Sequence, residues 1–314
     1  MNLKPLYFPR KFFFLPTLLA LLWGILGSAV WVDYSVFVVL ILFTGIPHGA
    51  TDHVLYQALR PPEASMNWGR FLGLYLSAML AYGVLWYFLP TLSLLVFLLL
   101  SAYHFGQSQL LYVRLSEKHP LRTILYTLWG SWLLGSILLL HLETTKEVLK
   151  GLFPEVVRVL ALSESSKILI ISALTVALFA VLLILYKKKR LDSYQFWEET
   201  AVILVLLALF SLTSLWISFG VYFGIWHAGA SIYLEVEGLK QIRSYSLSKF
   251  FREALPFSLV SLLGIVLLLG AGSYWETYVS LPLLFFIAIS TLTLPHMVYM
   301  QKFYASLLHR REKK

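Results

Sequence analysis

Five of the eight histidines in this chain lie in or at the ends of strongly apolar stretches: His48, His53, His104, His227 and His296. Four of them stand in short distinctive contexts, Pro47-His48-Gly49, Tyr103-His104-Phe105-Gly106, Trp226-His227 and Pro295-His296-Met297. An ionisable ring is expensive to keep in hydrocarbon, so its presence there makes a functional site the first hypothesis. A single buried histidine is usually a hydrogen-bonded core residue. Several such rings on separate helices form a donor set for a metal inside a helical bundle. Asp52 follows His48 by four residues and shares its helical face if the helix continues. It is expected to orient a ligand imidazole from behind. The chain has no cysteine. Disulfides, thiolate metal sites and iron–sulfur clusters are therefore excluded. A transition metal would have to be held by imidazole, carboxylate, hydroxyl or water.

The elements that must position these rings follow from composition. Hydrophobic residues make up 59% of the 314 positions and charged residues 13%. Apolar runs of about 20 residues, enough to cross a bilayer, recur along the whole chain. The expected fold is an all-α polytopic transmembrane bundle forming one integral-membrane domain over residues 1–314. A barrel would need segments of about ten residues with alternating polarity. About ten spans are expected, near 12–32, 34–58, 71–89, 91–113, 121–141, 167–186, 199–214, 216–234, 254–272 and 278–301. The first follows Lys4, Arg10 and Lys11 and is read as a retained span, too long for a signal peptide. Basic residues fill the N-terminus and the connections after even spans, for example Arg114, Lys118 and Arg122, or Lys187 to Arg190. The connections at Asp33, Pro90, the Leu215 region and 273–277 nearly lack them, which puts both termini in the cytoplasm. The longer 142–166 segment carries Lys146, Lys150 and Arg158 and is read as one or two short interfacial helices. The net charge of +9 is explained by this topology, not by nucleic-acid binding.

In this topology His48, His104, His227 and His296 fall on spans two, four, eight and ten, which run in the same direction. Their depths from the outer end differ by roughly 10 Å at 1.5 Å per residue. Four rings can then meet in one layer. Gly45, Pro47 and Gly49 are expected to bend the helix around His48, and Pro295 the helix before His296. His53 is either a supporting residue of that layer or interfacial; His119, His141 and His309 are interfacial or loop residues. Phe43, Tyr103, Phe105, Tyr222, Phe223, Trp226 and Tyr299 are compatible with a cavity for a conjugated ligand and equally with ordinary packing.

The motifs Gly45-Ile46-Pro47-His48-Gly49-Ala50-Thr51-Asp52-His53, His104-Phe105-Gly106, Trp226-His227 and Thr293-Leu294-Pro295-His296-Met297 resemble those of the Brp/Blh family. These are bacterial and archaeal membrane β-carotene 15,15'-dioxygenases. The resemblance runs from about the second span to the C-terminus. It implies Fe(II), O₂, and cleavage of the central double bond of β-carotene to two retinal molecules in a lipid bilayer, expected to be a prokaryotic inner membrane. It also implies His48, His104 and His227 as iron ligands. The chain departs from the pattern twice. A histidine is expected at position 231, where this chain has Ser231, and an acidic residue at position 109, where it has Gln109. His296 is the candidate for a fourth ligand, with Asp52, His53 and Ser231 in support.

The alternative within the family is altered chemistry, or carotenoid or lipid binding without cleavage. A transporter would show matching halves with broken helices, which the sequence lacks. A retinal-binding rhodopsin would need a lysine in mid-span, and no span has one.

Overall fold

The computed structural model describes residues 7–8, 10–27, 29–61, 64–150, 152–272 and 280–312. The expected connection at 273–277 lies outside the described residues. Among these residues there is helix and no strand. The helices are α1 (Lys11–Leu26), α2 (Val30–Leu40), α3 (Ile46–Gly49), α4 (Asp52–Ala58), α5 (Trp68–Phe88), α6 (Pro90–Leu110), α7 (Pro120–Leu140) and α8 (Leu142–Leu149). They continue as α9 (Pro154–Val159), α10 (Glu164–Lys187), α11 (Ser193–Leu212), α12 (Leu215–Gly220), α13 (Ala230–Lys240), α14 (Leu247–Gly272) and α15 (Leu281–Glu312). Two π-helical segments, Ile41–Gly45 and Val221–Gly229, join α2 to α3 and α12 to α13.

Nine helical stretches among the described residues are long and apolar enough to cross a membrane. The chain is an integral membrane protein. The expected first span is shorter than anticipated. α1 has 16 residues, about 24 Å at 1.5 Å per residue, against a hydrocarbon core of about 30 Å. It stops at Gly27, whose φ of 93° breaks the helix. The helix break therefore falls at Gly27, not at Asp33. Asp33 lies inside α2, buried, and accepts a hydrogen bond from Trp23 Nε1 at 2.9 Å. A partnered carboxylate is tolerated inside a helix, and that is why an acidic residue misled the boundary. The tight links at Pro90 and at Thr213–Ser214 and the two short helices α8 and α9 are as expected.

The chain packs as two compact units. The first takes residues 1–45, 101–145 and 162–234. In it, α10 and α11 pack on α7, α12 packs on α2, and the two π segments pack on each other. Trp129, Trp132, Leu133, Leu206 and Phe210 are fully buried at its centre. α6 meets α7 backbone to backbone. A Cβ added at Gly106 would lie 1.9 Å from the Tyr126 carbonyl oxygen, and one at Gly130 1.8 Å from that of Ala102. Glycine at both positions is what lets these helices touch, as small residues do in membrane interfaces.

The second unit takes residues 46–100, 146–161 and 235–314. Here α15 packs along α5 and α14 and touches α3 and α4, while α14 touches α3. Its apolar cluster gathers Tyr82, Trp86, Leu94, Phe153 and Leu283. α6, α8 and α13 each carry residues of both units.

Candidate metal centre

The second unit brings His48 and His296 together. Both are buried, on α3 and α15. Their Nε2 atoms lie 3.1 Å apart, and the ring planes are crossed at 85°. Behind each ring stands a buried carboxylate. His48 Nδ1 lies 2.6 Å from Glu235 Oε1, and His296 Nδ1 lies 2.8 Å from Asp52 Oδ1. Behind each carboxylate stands a hydroxyl: Thr51 donates to Glu235 Oε2 at 2.7 Å and Tyr75 donates to Asp52 Oδ2 at 2.9 Å. The result is one continuous series, Thr51–Glu235–His48 meeting His296–Asp52–Tyr75. An ionised carboxylate only accepts hydrogen bonds, so in that state each would hold its imidazole proton on Nδ1 and leave Nε2 as the ligand atom.

Local sequence explains this geometry. Gly45, Pro47 and Gly49 interrupt the helix as expected: a π segment ends at Gly45, α3 ends at Gly49, and a turn at Ala50–Thr51 restarts the chain as α4. That turn corrects the expectation for Asp52. Four residues place it over His48 only on an unbroken helix. The break rotates it to His296 instead. Pro295 removes one helical hydrogen bond within α15, which nevertheless runs on unbroken. The ring of His296 is in van der Waals range of any Cβ at Gly49, 4.0 Å away. Close packing of Gly238 on Phe303 and Leu307 sets α13, and with it Glu235, against α15.

The first unit holds the other two histidines as a pair. His104 on α6 and His227 in the second π segment have ring centroids 5.0 Å apart. His227 Nδ1 lies 3.1 Å from Ser108 Oγ. Phe105 lies 4.7 Å and Phe223 5.5 Å from the His227 ring. Ser231, one turn further along, is fully buried. Long π-helical segments are rare and concentrate at functional sites.

Glu235 is the residue that the sequence reading missed. Its signal was a carboxylate just past the expected end of an apolar span at 234, eight positions after His227. His53 stands apart from the hydrogen-bonded series, its ring 4.5 Å from that of Phe257 and 5.7 Å from that of Trp68. Phe43 is 69% exposed and faces outward, and Trp226 packs against α1, so neither lines a cavity. Gln109 donates to Glu199 through its amide at 3.1 Å, an acidic partner supplied by α11. His141 at the end of α7 lies 3.1 Å from Ser218 Oγ, and burial lowers its pKa to about 4.

The fold is that of a helical membrane protein with buried histidines that could hold a metal ion. The chain belongs to the β-carotene 15,15'-dioxygenase family, whose profile it matches over residues 39–304. It is also similar to a β-carotene 15,15'-dioxygenase of the uncultured marine bacterium 66A03, with 37% identity over 70 residues. That stretch covers 22% of this chain and 26% of the relative. No solved structure matches.

The residues fit the iron that this family implies. Two imidazole nitrogens 3.1 Å apart are held together by a shared proton or by a metal that both ligate. Two nitrogens bound side by side, each with a bond of about 2.1 Å, stand about 3 Å apart. Imidazole donors without thiolate suit Fe(II) among several first-row metals.

Proposed function

We propose that this protein is a non-haem iron oxygenase that cleaves the central double bond of β-carotene to retinal, using O₂. The observation that carries the reading is the opposed His48–His296 pair, each ring backed by a carboxylate. His104 and His227 are proposed as the remaining ligands, because the sequence puts all four histidines at similar depth on parallel spans and the family resemblance marks three of them. In this reading the chain is one integral-membrane domain of a prokaryotic inner membrane with both termini cytoplasmic.

When bound, Fe(II) supplies the activation of O₂. The chain's own residues do the rest. Glu235 and Asp52 hold the Nδ1 protons of His48 and His296, which fixes the tautomer and the ring plane and raises the basicity of Nε2. Thr51 and Tyr75 fix the carboxylates in turn. β-Carotene has no hydrogen-bonding group, so it can be recognised only by shape and apolar contact. Tyr56, Phe71, Tyr75 and Tyr299 form one aromatic cluster beside Asp52. Phe105, Tyr222 and Phe223 form another around His227. Such walls exclude water and suit a polyene arriving from the bilayer.

The test is iron analysis of the purified protein, together with retinal measured after expression in β-carotene-producing cells. Iron near one per chain with retinal formation is expected, and His48→Ala or His296→Ala should abolish both. Iron-free, retinal-free wild type would refute the proposal. Ser231 favours one second reading, since serine is too short to replace an imidazole at that position. If β-carotene co-purifies uncleaved, the chain is a carotenoid-binding member of the family.

A further inference from the structure

α1 lies outside the 39–304 region that matches the family, yet it grips the helices that hold His227 and Ser108 at the residues next to each. On one side, Thr17 Oγ1 accepts a hydrogen bond from Trp226 Nε1 at 2.9 Å and donates to the Phe13 carbonyl at 2.7 Å. Thr17 is fully buried. Phe13 and Phe14 meet the same indole edge-on, with centroids 5.3 and 5.6 Å away. Phe13 also fills the space beside Gly229, where a Cβ would touch its ring at 3.4 Å. On the other side, buried Arg10 just before α1 donates to the Gln109 carbonyl at 2.7 Å and to Glu199 Oε1. Tyr112 donates to the same carboxylate at 2.9 Å. Burial works against the Arg10 charge, but Glu199, Tyr112 and Glu198 outweigh it and hold its pKa above the ordinary value.

Trp226 precedes His227 and Gln109 follows Ser108. α1 therefore holds both partners of the His227–Ser108 contact by their neighbours. Consecutive helical side chains leave the axis roughly 100° apart or a little less. Trp226 can thus face α1 while His227 faces α6. Any rotation of the π segment that keeps its backbone intact moves both rings together. At a ring distance of about 6 Å from the axis, a 10° rotation displaces the imidazole by about 1 Å.

We propose that α1 is a clamp that sets the orientation of His227, with Thr17 and Arg10 as positioning residues. Its importance for chemistry rests on the reading of His227 as a metal ligand, but the orientation itself does not. The test is NMR of histidine labelled at ring carbon, in metal-free protein in detergent, with His227 assigned through His227→Gln. Thr17→Val should shift the His227 signal, Thr17→Ser should restore it, and the His48 and His296 signals should stay in place. A His227 signal unmoved in Thr17→Val, or moved equally in Thr17→Ser, would overturn the clamp, even if Thr17→Val lowered thermal stability. Arg10→Gln should shift the same signal; an unchanged signal would remove Arg10 from the proposal. With Co(II) added, Thr17→Val should bind about tenfold more weakly than wild type, and equal affinity would refute the link to the centre. Wild type that binds no metal would refute the iron reading, while the NMR outcome still decides the clamp.

Discussion

Replacing Glu235 separates its orienting role from simple filling of space. Its two oxygens serve His48 Nδ1 at 2.6 Å and Thr51 Oγ1 at 2.7 Å, and the side chain has no exposure. In Glu235→Gln the amide oxygen can still accept from His48. Thr51 can then accept from the amide NH₂ and donate to the His48 carbonyl, 3.2 Å away. Only the charge assistance is lost, so metal affinity should fall about tenfold, or about 1.4 kcal/mol. In Glu235→Ala the Nδ1–H of His48 is left in apolar surroundings, at about 1–3 kcal/mol, and the ring loses its anchor. Affinity should then fall about 100-fold, the upper end for loss of such a partner. The assay is Co(II) or Fe(II) competition against a chelator in detergent, with thermal unfolding in parallel. If both variants bind within threefold of wild type while His48→Ala abolishes binding, the orienting role is refuted. Asp52→Asn should mirror the glutamine result through His296.

Ser231→His should raise iron retention and, where the polyene is accepted, retinal yield; unchanged iron alongside stoichiometric wild-type iron would show that His296 or solvent already completes the shell. Cysteines placed at Glu155 and Lys189 flank α10 and should label from opposite sides of the membrane, and labelling from the same side would refute the proposed orientation. Gly106→Leu should cost more than about 3 kcal/mol, because its Cβ has no room against Tyr126, whereas Gly264→Ala meets nothing within 4 Å and should leave the thermal midpoint unchanged or slightly raised. His141 stays neutral in the folded protein down to about pH 4, whereas the unfolded chain takes up its proton near pH 6.5. Its contribution to stability is therefore full above about 6.5 and is lost between about 6.5 and 4, and His141→Gln should make unfolding less pH-dependent across that window.

Much of this protein is readable in one dimension because a bilayer makes burial expensive in a visible way. Apolar runs of spanning length announce the helices, and histidines inside them announce a site, because neither is stable there by accident. His48, His104, His227 and His296 stand out on that ground alone, and Pro47, Gly45 and Gly49 mark the break around His48. Partner choice was not readable. Glu235 serves His48 across 187 residues and Asp52 serves His296 across 244, while the sequence suggested the nearer pairing of Asp52 with His48. A spacing of four residues predicts a contact only where the helical register is continuous, and the turn at Ala50–Thr51 and the π segments shift that register. The clamp by α1 was equally hidden. Thr17 and Trp226 are unremarkable in a membrane helix until packing sets one hydroxyl against one indole, and only the tertiary structure decides which of many apolar neighbours meet.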